Sequence, residues 1–136
     1  MNYNSTLNEH APLAHLTDWE RQALSAFVDR LRQRFDGLIL SAVLFGSRAR
    51  NEAGADSDID VLVVIDREDH QVRKEIRYLA AEVWLEYGLF LSTRVWSRSH
   101  WRRLQEMQTL LYCNIQRDGI VLLTGNEAMS NELMRD

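Results

Sequence analysis

The sequence predicts a small α/β (α+β) domain, a mixed β-sheet flanked by helices. Two long stretches carry apolar residues at helical spacing, Ala23 to Leu31 and Val72 to Trp84. Short apolar runs bounded by glycine or polar residues lie between and after them, at 38–45, 58–65 and 89–96. The resulting order is helix, strand, strand, helix, strand, helix, which calls for helices packed on a sheet.

Each element has its own local reason. Thr17 offers an N-cap, and Glu20 stands three residues on, the spacing of a capping box. Ala23, Leu24, Phe27, Val28 and Leu31 then form one face of a helix over about 18–35, and Asp36-Gly37 ends it. "LILSAVLF" (38–45) is apolar throughout and reads as a buried strand; "DIDVLVVI" (58–65) is rich in β-branched residues and reads as a second. Val72, Ile76, Leu79, Ala80, Val83 and Trp84 predict a helix over 69–86, closed by Tyr87-Gly88. "LFLSTRVW" (89–96) is a third strand. Ser97 or Ser99 caps a helix through Trp101, Leu104 and Met107. "LLYCNIQRDG" is a short helix and "IVLL" (120–123) a brief strand. Residues 1–16 read as a loose tail, 17–124 as one domain and 125–136 as a polar tail.

The chain of 136 residues is the size of one domain. A net charge of -4 gives no general attraction to nucleic acid, so direct nucleic-acid binding is not expected. Lys74 is the only lysine; the other cations are arginines, which suit phosphate and carboxylate in fork geometry. Cys113 is the only cysteine, so no internal disulfide forms, and its apolar neighbours read it as a small core hydrophobe. With no leader pattern and no apolar run of membrane length, the chain reads as cytoplasmic, with no membrane partner.

The chemistry concentrates in "FGSRARNEAGADSDIDVLVVI", Phe45 to Ile65. Asp58 and Asp60 are two apart on a strand, so both carboxylates project to one face. Side by side they repel, and a divalent cation between them relieves that cost. Mg²⁺ suits one or two protein carboxylates together with substrate phosphate oxygens. Gly46-Ser47, at the end of the preceding strand, lets the backbone turn and lets an anion approach, while exposed N–H groups form an anion-binding hollow. Arg48 follows directly and is assigned to attraction for phosphate, against the plainer role of a salt bridge to Asp56 or Glu52. A lone Asp-x-Asp is usually turn chemistry; the combination between two apolar strands is far more specific.

Gly46-Ser47, ten intervening residues and Asp58-Ile59-Asp60 resemble the signature of the DNA polymerase β-type nucleotidyltransferase superfamily. "GSRARNEAGADSDIDVLVV" is most similar to the small minimal nucleotidyltransferases of bacteria and archaea, apart from Asn51 where glycine is common. "LYCNIQRDGIVLL" is similar to their closing segment. The resemblance spans about 20–124. It implies a nucleotidyltransferase palm-like fold, Gly46 and Ser47 holding the triphosphate, and Asp58 and Asp60 as catalytic residues coordinating Mg²⁺. It also implies transfer of a nucleoside monophosphate, AMP from ATP, onto a hydroxyl. The acceptor implied is a HEPN-type toxin protein for which this chain is the antitoxin, in a homo- or hetero-oligomer.

One departure qualifies the match. Fuller superfamily members place a third carboxylate on the next strand, and "LFLSTRVWS" has none; Ser92, Thr93 and Arg94 stand there. A hydroxyl is a poor metal ligand and a poor base. Glu82 or Glu86 could reach the site, the partner could supply a group, or the chain could bind nucleotide while transferring slowly or not at all. The alternative function is therefore a catalytically weak nucleotide-binding module that neutralises a toxin by direct contact. A small-molecule nucleotidyltransferase is a third reading, disfavoured because little chain is left for an acceptor domain. The basic "SRSHWRR" helix reads as a solvated face, Asp66 as solvated, and the four histidines show no metal-ligand spacing. Trp19, Trp84, Trp96 and Trp101 read as core or interface.

Overall fold

The computed structural model describes residues 13, 15–46, 48–49 and 58–125. Among them the chain forms α1 (Asp18–Arg34), β1 (Ile39–Phe45), β2 (Ile59–Ile65), α2 (His70–Tyr87), β3 (Leu91–Ser97), α3 (Arg98–Met107), α4 (Leu110–Asp118) and β4 (Ile120–Thr124). All eight elements fall where the periodicity places them, within two residues. The capping box at Thr17 and Glu20 is formed. Gly88 closes α2 in the left-handed region at φ 69°, where glycine carries no Cβ penalty.

The four strands lie in the order β3-β2-β1-β4. β1 pairs antiparallel with both β2 and β4, and β2 pairs parallel with β3 across the α2 crossover. The sheet is mixed, as expected. It is also a middle layer. Ala42 and Leu44 of β1 and Val61, Val63 and Ile65 of β2 pack under α1 and α2, with Leu24, Phe27, Leu31, Ile76, Leu79 and Val83. Leu40, Val43, Phe45, Leu62 and Val64 pack on the opposite face against Trp101 of α3 and Tyr112 and Ile115 of α4. Both faces of β1 and β2 are thus covered, which is why these strands read as continuous apolar runs. Leu40 and Ala42 would share a face in a regular strand. A register shift between Ile39 and Ser41 turns the strand over and sends them to different layers.

Two expectations change. Leu13 and Leu16, assigned to the loose tail, are 1% and 3% exposed and belong to the α1/α2 core, so the packed chain begins ahead of the capping threonine. Residues 1–12 and 126–136 lie outside the described residues. Asp66 is not simply solvated; its Oδ1 is 3.1 Å from Arg98 Nη2. No helix among the described residues is long and apolar enough to cross a membrane.

The packing separates interactions that hold the fold from those that decorate it. Leu62 is fully buried at the centre of the sheet. Leu62→Ala should lower unfolding free energy by about 2–5 kcal/mol in urea denaturation. Arg30→Ala removes surface ion pairs to Glu82 and Glu86, both well exposed, and should cost no more than about 1 kcal/mol. Similar costs for the two variants would contradict this assignment of the core.

Candidate nucleotide and metal site

The strand ends bring the site together. Phe45, the last residue of β1, is the register partner of Asp60 on β2. Gly46 therefore turns directly above Asp60. Its φ is 78°, a region that residues with a Cβ rarely adopt, and a Cβ there would overlap Asp60 Oδ2. Glycine is needed for both reasons. Three residues on, the Ala49 N–H closes the turn on the Gly46 carbonyl at 3.1 Å, and Ala49 packs against the α1/α2 core. Ser47, the other half of the predicted phosphate pair, lies outside the described residues, as do Arg50, Asn51, Glu52 and Asp56.

Asp60 alternates with Ile59 and Val61, so it shares the face of Leu62 and Val64, at the end of the strand beyond the cover of α3 and α4. Asp58 is exposed just ahead of β2. Burial pushes the Asp60 carboxyl above its ordinary value; Arg94 pulls it down, Asp58 adds a like charge that pushes it up, and a hydrogen bond with Ser92 pulls it down. Asp58 therefore lies near enough to Asp60 to add to the upward push on its carboxyl. A half-buried carboxylate with a second one beside it is an arrangement that a cation relieves.

The third-carboxylate question has a structural answer among the described residues. Asp60 and Ser92 are register partners across the parallel β2/β3 pair, and they are hydrogen-bonded. Ser92 thus stands on the next strand beside Asp60. Arg94, two residues on, lies on the same face. Glu82 and Glu86 do not turn to the site: Glu86 Oε2 is 2.7 Å from Arg30 Nη2, and Glu82 pairs with Arg30 and Arg34 across the α1/α2 contact. No group of three His, Cys, Asp or Glu able to hold a metal occurs among the described residues. The donor set fits Mg²⁺ bound by two carboxylates and completed by phosphate oxygens and water. It does not supply a third protein carboxylate.

Arg48 is placed differently from the sequence expectation. Its guanidinium is buried and paired with Glu20 of α1, a partner the sequence reading did not name; Asp56 and Glu52 lie outside the described residues. His15 Nε2 donates to the Arg48 carbonyl. Sequence reasoning missed Glu20 and His15 as neighbours of the site. Glu20 was already accounted for as a capping residue, and no spacing rule links position 15 or 20 to a loop some thirty residues later.

Two outcomes are expected of the strand-end geometry. Asp60's folded pKa lies above its unfolded one, so nucleotide-free stability declines as pH rises above the ordinary value of 3.8, and the ionised carboxylate is a cost at neutral pH. Asp60→Asn should therefore raise the thermal midpoint of the nucleotide-free protein at pH 7 while weakening divalent-cation binding; a lowered midpoint would contradict the reading. Gly46→Ala should lose at least about 1–2 kcal/mol from its backbone conformation alone, measured by urea unfolding.

Comparison with known proteins agrees with this geometry. A family model described as a nucleotidyltransferase domain matches residues 24–114. A candidate protein adenylyltransferase of Methanocaldococcus jannaschii is 30% identical over 103 residues, covering 76% of this chain and 97% of that protein. A chain in the crystal structure of a toxin–antitoxin with AMP-PNP superposes with a TM-score of 0.52 at 21% identity, covering 79% of this chain and 77% of the other. A chain of the MntA–HepT toxin–antitoxin structure gives 0.51 at 21% identity, covering 84% and 79%. These structures share the fold. The matched family model spans both site strands, α2, β3 and α3, and with it the chain belongs to the nucleotidyltransferase domain family.

Proposed function

We propose that the chain is a Mg²⁺-dependent nucleotidyltransferase that moves AMP from ATP to a hydroxyl of a protein acceptor, with Gly46 and Ser47 at the triphosphate and Asp58 and Asp60 at the metal. The observation that carries this reading is the contact between Gly46 and Asp60. A left-handed glycine turn and a half-buried carboxylate meet so closely that no side chain fits between them. Phosphate held at the turn is thereby adjacent to the carboxylate that would share its metal.

Bound Mg²⁺ would draw charge from the triphosphate oxygens and offset the repulsion between Asp58 and Asp60. In the transfer, the acceptor oxygen bonds to the α-phosphorus. The bond from that phosphorus to the oxygen bridging toward the β-phosphate breaks, and pyrophosphate leaves with its electron pair. The acceptor proton passes to water, because Ser92, beside Asp60, is too weak a base to take it. A positioned general base is commonly worth about 10²–10⁴-fold, so this chain should turn over slowly.

A protein acceptor is supported by the 30% identical candidate protein adenylyltransferase. A HEPN-type toxin as that acceptor, with this chain as its antitoxin, rests on the motif's resemblance to minimal nucleotidyltransferases. The serine in place of a third carboxylate favours a second reading, in which the chain neutralises its partner by binding and the site contributes little.

Labelled ATP, Mg²⁺ and the co-expressed partner should give a labelled partner. Combined Asp58→Ala and Asp60→Ala should reduce labelling by at least about 10³-fold if the metal carboxylates are required. Transfer at the wild-type rate by this double variant would end the enzymatic assignment. If it transfers nothing but still protects cells that carry the toxin, the binding reading holds. Ser92→Asp should accelerate transfer by about tenfold or more, by supplying the missing base.

A further inference from the structure

We propose that Glu20 and His15 are positioning residues for the nucleotide, acting through Arg48 on the turn that follows β1. The proposal rests on the nucleotidyltransferase reading and deepens it. Glu20 uses its two carboxylate oxygens for different tasks. Oε1 accepts the Thr17 N–H at 2.8 Å, which caps α1, and Oε2 accepts from Arg48 Nη2. The pair is enclosed, with side chains 8% exposed for Arg48 and 13% for Glu20. His15 meanwhile donates from Nε2 to the Arg48 carbonyl.

The segment that carries these two groups is itself tied down. Arg21 Nη1 donates to the carbonyls of Leu13 at 3.2 Å and Leu16 at 2.5 Å. Leu13 and Leu16 are buried in the α1/α2 core. The chain on the far side of Gly46 is therefore held at four points: the Gly46 carbonyl by Ala49 N–H, the Arg48 carbonyl by His15, the Arg48 guanidinium by Glu20, and the Ala49 methyl by the core.

Such a turn gains from rigidity in a way that a surface loop does not. Donors that face an anion stabilise it most when they need no reorganisation on binding. Gly46 has full conformational freedom of its own, so the direction of the turn must be imposed from outside. The arginine's charge is matched by Glu20, so its contribution is to fix backbone rather than to meet phosphate directly. Glu20 and His15 thus link the N-terminal end of α1 to the phosphate turn, and their loss should appear in nucleotide affinity more than in fold stability.

The test uses the full chain, titrated calorimetrically with ATP and Mg²⁺, with thermal midpoints and exchange of the Ala49 amide recorded alongside. Glu20→Gln and His15→Ala should each weaken ATP binding by about tenfold and speed Ala49 exchange. Thr17→Ala removes the helix cap but leaves the Glu20 contact with Arg48; it should lower the thermal midpoint without moving ATP affinity. If Glu20→Gln is too unstable to assay, His15→Ala, which touches only a carbonyl, decides the matter. ATP affinity within about twofold of wild type in these variants, or an equal loss in Thr17→Ala, overturns the positioning role while leaving the nucleotide site intact. A wild-type chain that binds no ATP refutes the nucleotidyltransferase reading, and this proposal with it.

Discussion

The close approach of Gly46 to Asp60 constrains the rest of the molecule. The antiparallel register of β1 and β2 sets Phe45 opposite Asp60, so the residue after Phe45 must turn over a carboxylate. Only glycine fits the space and the positive φ. Slippage of this pair by one residue would send Asp60 to the α1/α2 face and Val61 to the site, because side chains alternate. The buried runs on both faces of β1 and β2 prevent that slip. The core on either side of the sheet is thus what holds the Gly46 turn above Asp60.

Once that register is set, the division of the sheet into two faces explains the electrostatics. Asp60, Ser92 and Arg94 fall on the face that α3 and α4 cover; Asp60 and Ser92 lie toward the strand ends, and Arg94, the partner of Leu62, is exposed at the middle of the edge strand β3. Asp60 is consequently desolvated enough for its carboxyl to rise, yet accessible enough to meet a ligand. Glu82 and Glu86 belong to the other side, where α2 meets α1, and their pairing with Arg30 and Arg34 follows from that placement. The layer a residue occupies, rather than its distance along the chain, determines whether it can serve the site.

That distinction also separates what the sequence discloses from what it does not. Strand and helix positions are local: β-branched content, helical spacing and the Thr17–Glu20 box each act within a few residues, and all were legible. The face of Asp60 was legible because alternation is a property of one strand; Asp58 lies just ahead of β2. The role of Glu86 was not, since nothing in residues 69–86 indicates which face of α2 meets α1 at that height. Arg48 shows the same limit more sharply. Its sequence neighbours suggested a phosphate contact or a local ion pair, and gave no sign of Glu20, a partner twenty-eight residues upstream. Leu13 and Leu16 were lost to the tail because two apolar residues beside the only proline do not make a periodic pattern, although both are buried.

Under the proposed function, Ser92 beside Asp60, where the resemblance expects a carboxylate, has a consequence for how the two halves of the site share their work. With no third acidic group at the site among the described residues, the repulsion that a metal would offset there is between Asp58 and Asp60, and Arg94 offsets part of it. A cation therefore has less to gain from the protein alone and more from the triphosphate it arrives with. Affinity for metal and for nucleotide should then be strongly coupled, each supplying what the other lacks. Under that coupling the precision of the phosphate turn matters more than in a site with a full acidic set, because the turn fixes the ligand that completes the metal's coordination. The anchoring of Arg48 by Glu20 and His15 is a structural counterweight to the missing carboxylate: what β3 does not contribute in charge, the N-terminal end of α1 contributes in rigidity.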